Sequence, residues 1–377
     1  MEEIKDKEVA NLFDILKKGK NKVFGLNLSN KNLRKYAPKF NKIFYKNKNK
    51  NKNYHLLIKN SDFIGADLNN FKIFKNAVLE SCLFAHAIIT KCDFSNSHIY
   101  SCDFYKSIFD STNFSGCKIE GMTYFVEARG PFSNFDRIKV EGGVFSHSDL
   151  TKSSFIEASF KKTMFALSNL NDTKWIKNKL GGVNFSNCNL TETTFSQSVL
   201  NECDFSGGTI LSEASFSKNR CYKCDFSKSI ISGTSFTDNL FNKCDFHRSV
   251  GEMANFSNSK LKECDLAEAD FSGGDFFQTR FKDCVLVKVA FNNSNLHEAK
   301  FFNTNIAFAD FSGTNIRLIG KMEKTSGFPK AEFVAAEMTD EQKKYIKNSK
   351  LVSIDREYGT KEKIIIDEKD DRPEGLK

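Results

Sequence analysis

The cysteines are the residues of this 377-residue chain with the most chemistry to offer. Cys224, Cys244, Cys264 and Cys284 recur at intervals of 20, Cys82 and Cys102 repeat that spacing, and Cys221 and Cys224 form a CxxC pair. Closely spaced thiolates bind zinc or iron–sulfur clusters. No second CxxC lies at zinc-ribbon distance, however, and thiols strung along one line do not occupy the corners of a tetrahedron. Core packing is the expectation, with no metal site. The six histidines form no HxH, HExxH or Cys/His pair, and no GxGxxG or GxxxxGK[ST] motif occurs. Asp225, Asp245 and Asp265 share the cysteine spacing. They could form an acidic stripe for a cation or a basic partner, but Lys223 and Lys243, two residues ahead of the first two, indicate a solvated mixed face. No nucleophile has a reason in the sequence to meet a base. No catalytic or cofactor-binding residue is expected, and the chain reads as a non-enzyme.

Two groups of basic residues are candidates for partner contact. Residues 31–59 hold ten Lys and Arg and no acid, interleaved with Tyr36, Phe40, Phe44, Tyr45 and Tyr54. Basic residues among aromatics can bind nucleic acid or an anionic membrane surface, which makes Lys46, Lys48, Lys50 and Lys52 candidate contacts. The competing reading, and the one preferred, is a flexible Lys/Asn loop too polar to order itself, so there is no strong nucleic-acid signal. The second group is Arg129 and Arg137. They lie in 120–144, which reads either as a partner contact or as a degenerate stretch of the surrounding pattern.

That pattern must position all of these residues. From Phe216 to Ile316 every fifth residue is Phe, Leu or Ile except Cys221 and Gly251, and the residue two before it is mostly small. A period of five is neither helical nor a pure strand period, so it marks an internal repeat. Call the large residue i. Residues i−2 and i lie on one face of an extended segment and can both point inward, while the other three turn a corner. Four corners close a coil of twenty residues, as the cysteine spacing requires. The 39 Phe then fill the axis, and ten cysteines at i−2 with Cys221 at i all point inward. The i series begins near Phe63, with six-residue steps at 68 to 74, 119 to 125 and 210 to 216. It weakens through Gly130, Phe135 and Val140.

Runs such as Cys92-Asp93-Phe94-Ser95-Asn96 and Ala269-Asp270-Phe271-Ser272-Gly273 resemble the pentapeptide-repeat family, whose pattern is A(D/N)LXX. The resemblance implies an all-β solenoid, a right-handed quadrilateral parallel β-helix. Around it, residues 1–60 are expected to form an N-terminal α-helical cap and the basic loop. Residues 61–316 are expected to form the β-helix. Residues 317–377 are expected to form a small C-terminal α+β capping module and a charged tail.

Charge narrows the functional reading. Net charge is +9, but residues 1–60 carry 16 Lys and Arg against 5 Asp and Glu, and the remainder is near neutral. Some members of the family mimic duplex DNA, which needs a strongly acidic surface. The resemblance and the missing acidity together favour a non-catalytic protein-interaction scaffold with an unknown protein partner, and a bacterial effector is one form of it. The alternatives are a DNA gyrase or topoisomerase-binding protection protein and an enzyme carried by the C-terminal module. Dimerisation through that module is a further implication of the family. Inward cysteines suggest a reducing compartment, no secretory signal is visible and no run is long enough to span a membrane. The expected location is therefore the bacterial cytoplasm, or a host cell reached without a cleaved signal.

Overall fold

The computed structural model describes residues 6–314 and, by its backbone, the strand Lys321–Glu323. Two compact units divide the chain, Met1–Asn189 and Leu190–Lys377. The expected C-terminal capping module lies, apart from that strand, outside the described residues.

The first unit opens with helix α1, Lys7–Lys17. Asp6 caps it, its Oδ1 accepting from the N–H groups of Glu8 (3.0 Å) and Val9 (3.1 Å). Its apolar face is buried at Val9, Leu12 and Leu16. The segment expected as a loop is instead largely helix α2, Ala37–Lys50, with Pro38 in its first turn. Composition concealed a partnered face. Ala37, Phe40 and Phe44 fall three to four residues apart and are buried together. Phe40 lies 5.6 Å from Phe13 and 5.5 Å from Phe71, and Phe44 lies 6.0 Å from Tyr54. Asn47 Nδ2 donates to the Leu16 carbonyl (2.7 Å), tying α2 to α1. A coil also forms earlier than residue 61, because Lys22–Phe24 pairs in parallel with Leu57–Lys59.

From there each five-residue unit makes one side of a four-sided coil. Successive coils pair in parallel on every side, as in Leu83 with Asp103, Ile88 with Ile108, Asp93 with Asn113 and His98 with Lys118. The i residues stack coil upon coil. Phe63, Phe84, Phe104, Phe125 and Phe145 follow one another with centroids 4.6, 4.8, 4.5 and 4.6 Å apart. In the second unit Phe205, Phe226 and Phe246 stack at 4.8 Å each. These rings are fully buried, so the axis is filled by side chains.

The other positions of each repeat have defined work. Residue i+2 turns the corner in the left-handed conformation, for example Lys228 (φ 56°), Arg248 (φ 56°) and Phe308 (φ 60°). The N–H of i+3 then closes the corner on the carbonyl of i, as Ala254 does on Gly251 (2.9 Å). Residue i−1 explains the Asp/Asn preference: its Oδ1 accepts the N–H of i+1, as in Asp225 with Ser227 (2.8 Å) and Asp245 with His247 (2.7 Å). Residue i−2 points inward, where its thiol or hydroxyl donates to a carbonyl of the preceding coil. Cys92 reaches Leu68 O (3.0 Å), and Thr112 reaches Ile89 O (2.7 Å).

Two expectations about register change. The third six-residue step falls between Phe205 and Leu211, because Ile210 is exposed and Leu211 is buried. Gly207 and Gly208, at φ 73° and 95°, absorb the extra residue. Residues 120–144 are also not an interruption. Lys139–Glu141 forms a strand, and Tyr124, Arg129 and Asn134 pair with Val144, Asp149 and Ser154. Gly130 occupies an inward i position, and its missing side chain is replaced by the Phe109 ring: a Cβ there would lie 1.7 Å from Phe109 Cε2. Pro131 is accommodated for a related reason. It sits at i+1, where other repeats spend the N–H on an Asx carboxylate or amide. Here i−1 is Arg129, which cannot accept, and Pro has no N–H to satisfy.

Candidate interaction surfaces

The cysteines line the inside of the coils. All eleven are buried. Burial pushes the Cys92 and Cys117 thiols up to about 12, so both stay protonated at neutral pH. Among the described residues no group of His, Cys, Asp and Glu is arranged to hold a metal ion. The Asp column does form, with Asp204, Asp225, Asp245 and Asp265 in register. Lys223 and Lys243 do not neutralise it, because they pair with Glu202 (3.6 Å) and Glu263 (3.2 Å). Each of these Asp carboxylates instead caps a backbone N–H two residues on. Partial burial, against the pull of the His247 N–H and helped by Asp225 and Asp265, raises the Asp245 carboxyl above its ordinary value.

The candidate contact residues are not brought together. Lys46, Lys48 and Lys50 lie at the end of α2, and Lys52 just follows it. Arg129 lies on a coil side, its Nη1 2.9 Å from Asp110 Oδ2 and its Nε 3.9 Å from Asp149. Arg137 turns a corner one side further on, at φ 57°, exposed and without an ion pair among the described residues. Arg129 is thus already partnered along its own wall, which weakens its claim as a free contact.

What the sequence reading did not single out is the apolar wall beside Arg129. Tyr124, Val144 and Met164 stack in register, with Val126 and Ala166 on the same side. Met122, Met164 and Leu167 are exposed by 71, 46 and 53%. All belong to the first unit. The signal was available at a period of twenty, but the i series drew attention to the inward positions only.

A filled, four-sided parallel β-helix of five-residue repeats defines the class. The family model for pentapeptide repeats matches 8 copies, over residues 73–121, 179–217, 253–287 and 279–317, and the chain belongs to the pentapeptide-repeat family. No curated protein matches the sequence. Among solved structures, HetL, a pentapeptide repeat protein involved in heterocyst differentiation regulation from the cyanobacterium Nostoc sp. strain PCC 7120, is 13% identical, covering 73% of this chain and 87% of its own, with a TM-score of 0.23. A trypsin-treated variant of QnrB1, a plasmid-mediated fluoroquinolone resistance protein, is 14% identical over 65% of this chain and 91% of its own, with a TM-score of 0.18. A mutant of the periplasmic alginate epimerase AlgG is 8% identical over 89% of this chain and 90% of its own, with a TM-score of 0.24. No helix among the described residues is long and apolar enough to cross a membrane.

Proposed function

We propose that the chain is a non-catalytic scaffold that binds a protein partner through the apolar wall of its first unit. The observation that supports this reading is the in-register stack of Tyr124, Val144 and Met164, bordered by exposed Met122 and Leu167. Contiguous exposed apolar side chains mark interaction sites more often than single ones do. Inside, stacked rings occupy the coil axis, so contact chemistry is left to the outer surface. A bacterial setting, with the protein acting in its own cytoplasm or as an effector in a host cell, belongs to the same proposal. So does dimerisation through the C-terminal module, residues 317–367. The test is cross-linked capture from bacterial and host lysates with the wild type and with the Met164→Glu/Leu167→Glu variant, whose thermal melt is recorded alongside. A partner retained in full by the folded variant overturns the reading. A mass of one chain by light scattering removes the dimer.

A further inference from the structure

The near-neutral charge of residues 61–377 conceals a division of charge by wall in the second unit. Five strands lie in register on one wall: Arg220–Tyr222, Leu240–Asn242, Lys260–Lys262, Arg280–Lys282 and Lys300–Phe302. In each, the middle residue is buried and the two flanking residues face out. The outward set is Arg220, Lys260, Lys262, Arg280, Lys282 and Lys300 with Tyr222, Leu240, Asn242 and Phe302, and it includes no acid. Lys321 takes the next register position after Lys300. That same strand places Glu323 in register after Phe302, so the acid-free run is the five strands from Arg220 to Phe302; other acids of the unit lie in the Asp204–Asp265 column and at corners such as Glu263 and Glu268.

This arrangement works against stability. Like charges directly opposite on neighbouring strands repel. At several other positions sign alternates from coil to coil: Glu141 meets Lys161 at 2.8 Å, and Glu268 lies between Arg248 (2.7 Å) and Lys288 (3.2 Å). In the Asp204–Asp265 column, where like charges do stack, each carboxylate accepts a backbone N–H. On the basic wall Lys260, Arg280 and Lys300 stack without any such relief. Of the six cations only Lys262 has an ion pair among the described residues, with the corner carboxylate of Glu263 (2.8 Å). Lys282 instead lies over the Phe302 ring, 5.6 Å from its centroid, and Lys223 lies over Tyr222 at 5.4 Å.

We propose that this wall binds single-stranded nucleic acid. Outward cations on four of the five coils, two each on the Lys260–Lys262 and Arg280–Lys282 strands, form a stripe that suits a linear polyanion, and phosphates would relieve the repulsion that the protein leaves uncompensated. Phe302 and Tyr222 share the wall with the cations, and bases would displace Lys282 and Lys223 from over these rings to stack there. A bilayer presents a plane of charge and has no use for a single line.

The test measures anisotropy of a labelled thymidine oligonucleotide with the full chain over a salt series. Wild type binds, and log affinity falls linearly with log salt. In Lys260→Gln/Arg280→Gln/Lys300→Gln the slope decreases by about two, because each lost phosphate contact is worth about 0.7 on a single strand. That variant melts at or above the wild-type temperature, since it removes repulsion, so lost binding is not lost folding. Phe302→Ala weakens binding about tenfold with the slope unchanged, as removal of a stacking face does. Absence of wild-type binding overturns the proposal. So does an unchanged slope in the triple variant, transfer of the effect to Lys46→Gln/Lys48→Gln/Lys50→Gln, or equal affinity for duplex DNA or phosphatidylserine vesicles.

Discussion

Substituting Gly130 with Ala tests whether the coils of the first unit interlock as described. The added Cβ would lie 1.7 Å from Phe109 Cε2 and 2.0 Å from Cδ2. Phe109 cannot swing away freely, because its ring packs edge-on against Phe114 (5.5 Å), Phe125 (5.7 Å) and Phe135 (6.2 Å). Gly130 does not have a positive φ, so Ala brings no backbone strain of its own and the cost is overpacking alone. That cost is about 1–3 kcal/mol in a close-packed core. Phe109→Leu, a smaller side chain in the same place, costs about 1 kcal/mol by itself. It also vacates the space that the added methyl group needs, so the double variant should recover about 1–2 kcal/mol relative to the sum of the singles. Urea unfolding followed by tryptophan fluorescence reads this directly. Trp175, the one tryptophan in the chain, belongs to the same unit, is fully buried and stacks on Phe155 at 4.0 Å. Gly130→Ala within about 0.5 kcal/mol of wild type, or additive singles, would refute the interlock.

Other perturbations test the corners, the Asp column and the thiols. Lys228→Val places a β-branched residue at φ 56° and should destabilise the second unit by about 1–2 kcal/mol, whereas Lys228→Gly should not; equal melts for the two would contradict the corner geometry. Asp245→Asn keeps the acceptor for the His247 N–H and removes the charge. Because the folded-state pKa of Asp245 is raised, ionisation penalises the native state, and the penalty develops as pH climbs from the ordinary value of 3.8 through the raised one. The variant should therefore match wild type in acid and be the more stable at neutral pH, and a thermal-melt difference that grows toward acid would be the wrong sign. All eleven thiols should resist iodoacetamide in the native protein and react in concentrated guanidinium, as read by intact mass; rapid native labelling of Cys92 or Cys117 would show the wall to be open.

Most of the coil architecture could be read from the spacing of Phe226, Phe236, Phe241 and Phe246. A five-residue period with an inward pair has few ways to close, and the burial of ten cysteines at i−2 follows from it. The failures have one physical origin, that several positions depend on a neighbour not adjacent in sequence. The helix at 37–50 needed Phe13 and Phe71 to cover Phe40, and no composition count over Lys46–Asn53 could supply them. Gly130 read as a weakened repeat because the side chain filling its place belongs to Phe109, 21 residues earlier. At Gly207–Gly208 the extra residue could be placed on either side of Ile210 without breaking the pattern, and only burial decides between Ile210 and Leu211.

The surface was harder to read than the core for a reason built into the repeat. Inward positions recur every five residues, so their pattern shows in a short window. Outward neighbours are one coil apart, so a wall is written at every twentieth or twenty-first residue and each window of twenty mixes four walls. Averaging then cancels Lys260, Arg280 and Lys300 against Asp225, Asp245 and Asp265, although the two sets occupy different columns of the same unit. Net charge can therefore argue against a uniformly acidic cylinder, but it says nothing about one basic wall. The same holds for Tyr124, Val144 and Met164, which look scattered along the chain and adjoin on the coil. In a solenoid with a filled axis the inward period specifies the fold, and differences in binding between chains must be carried by these outward columns.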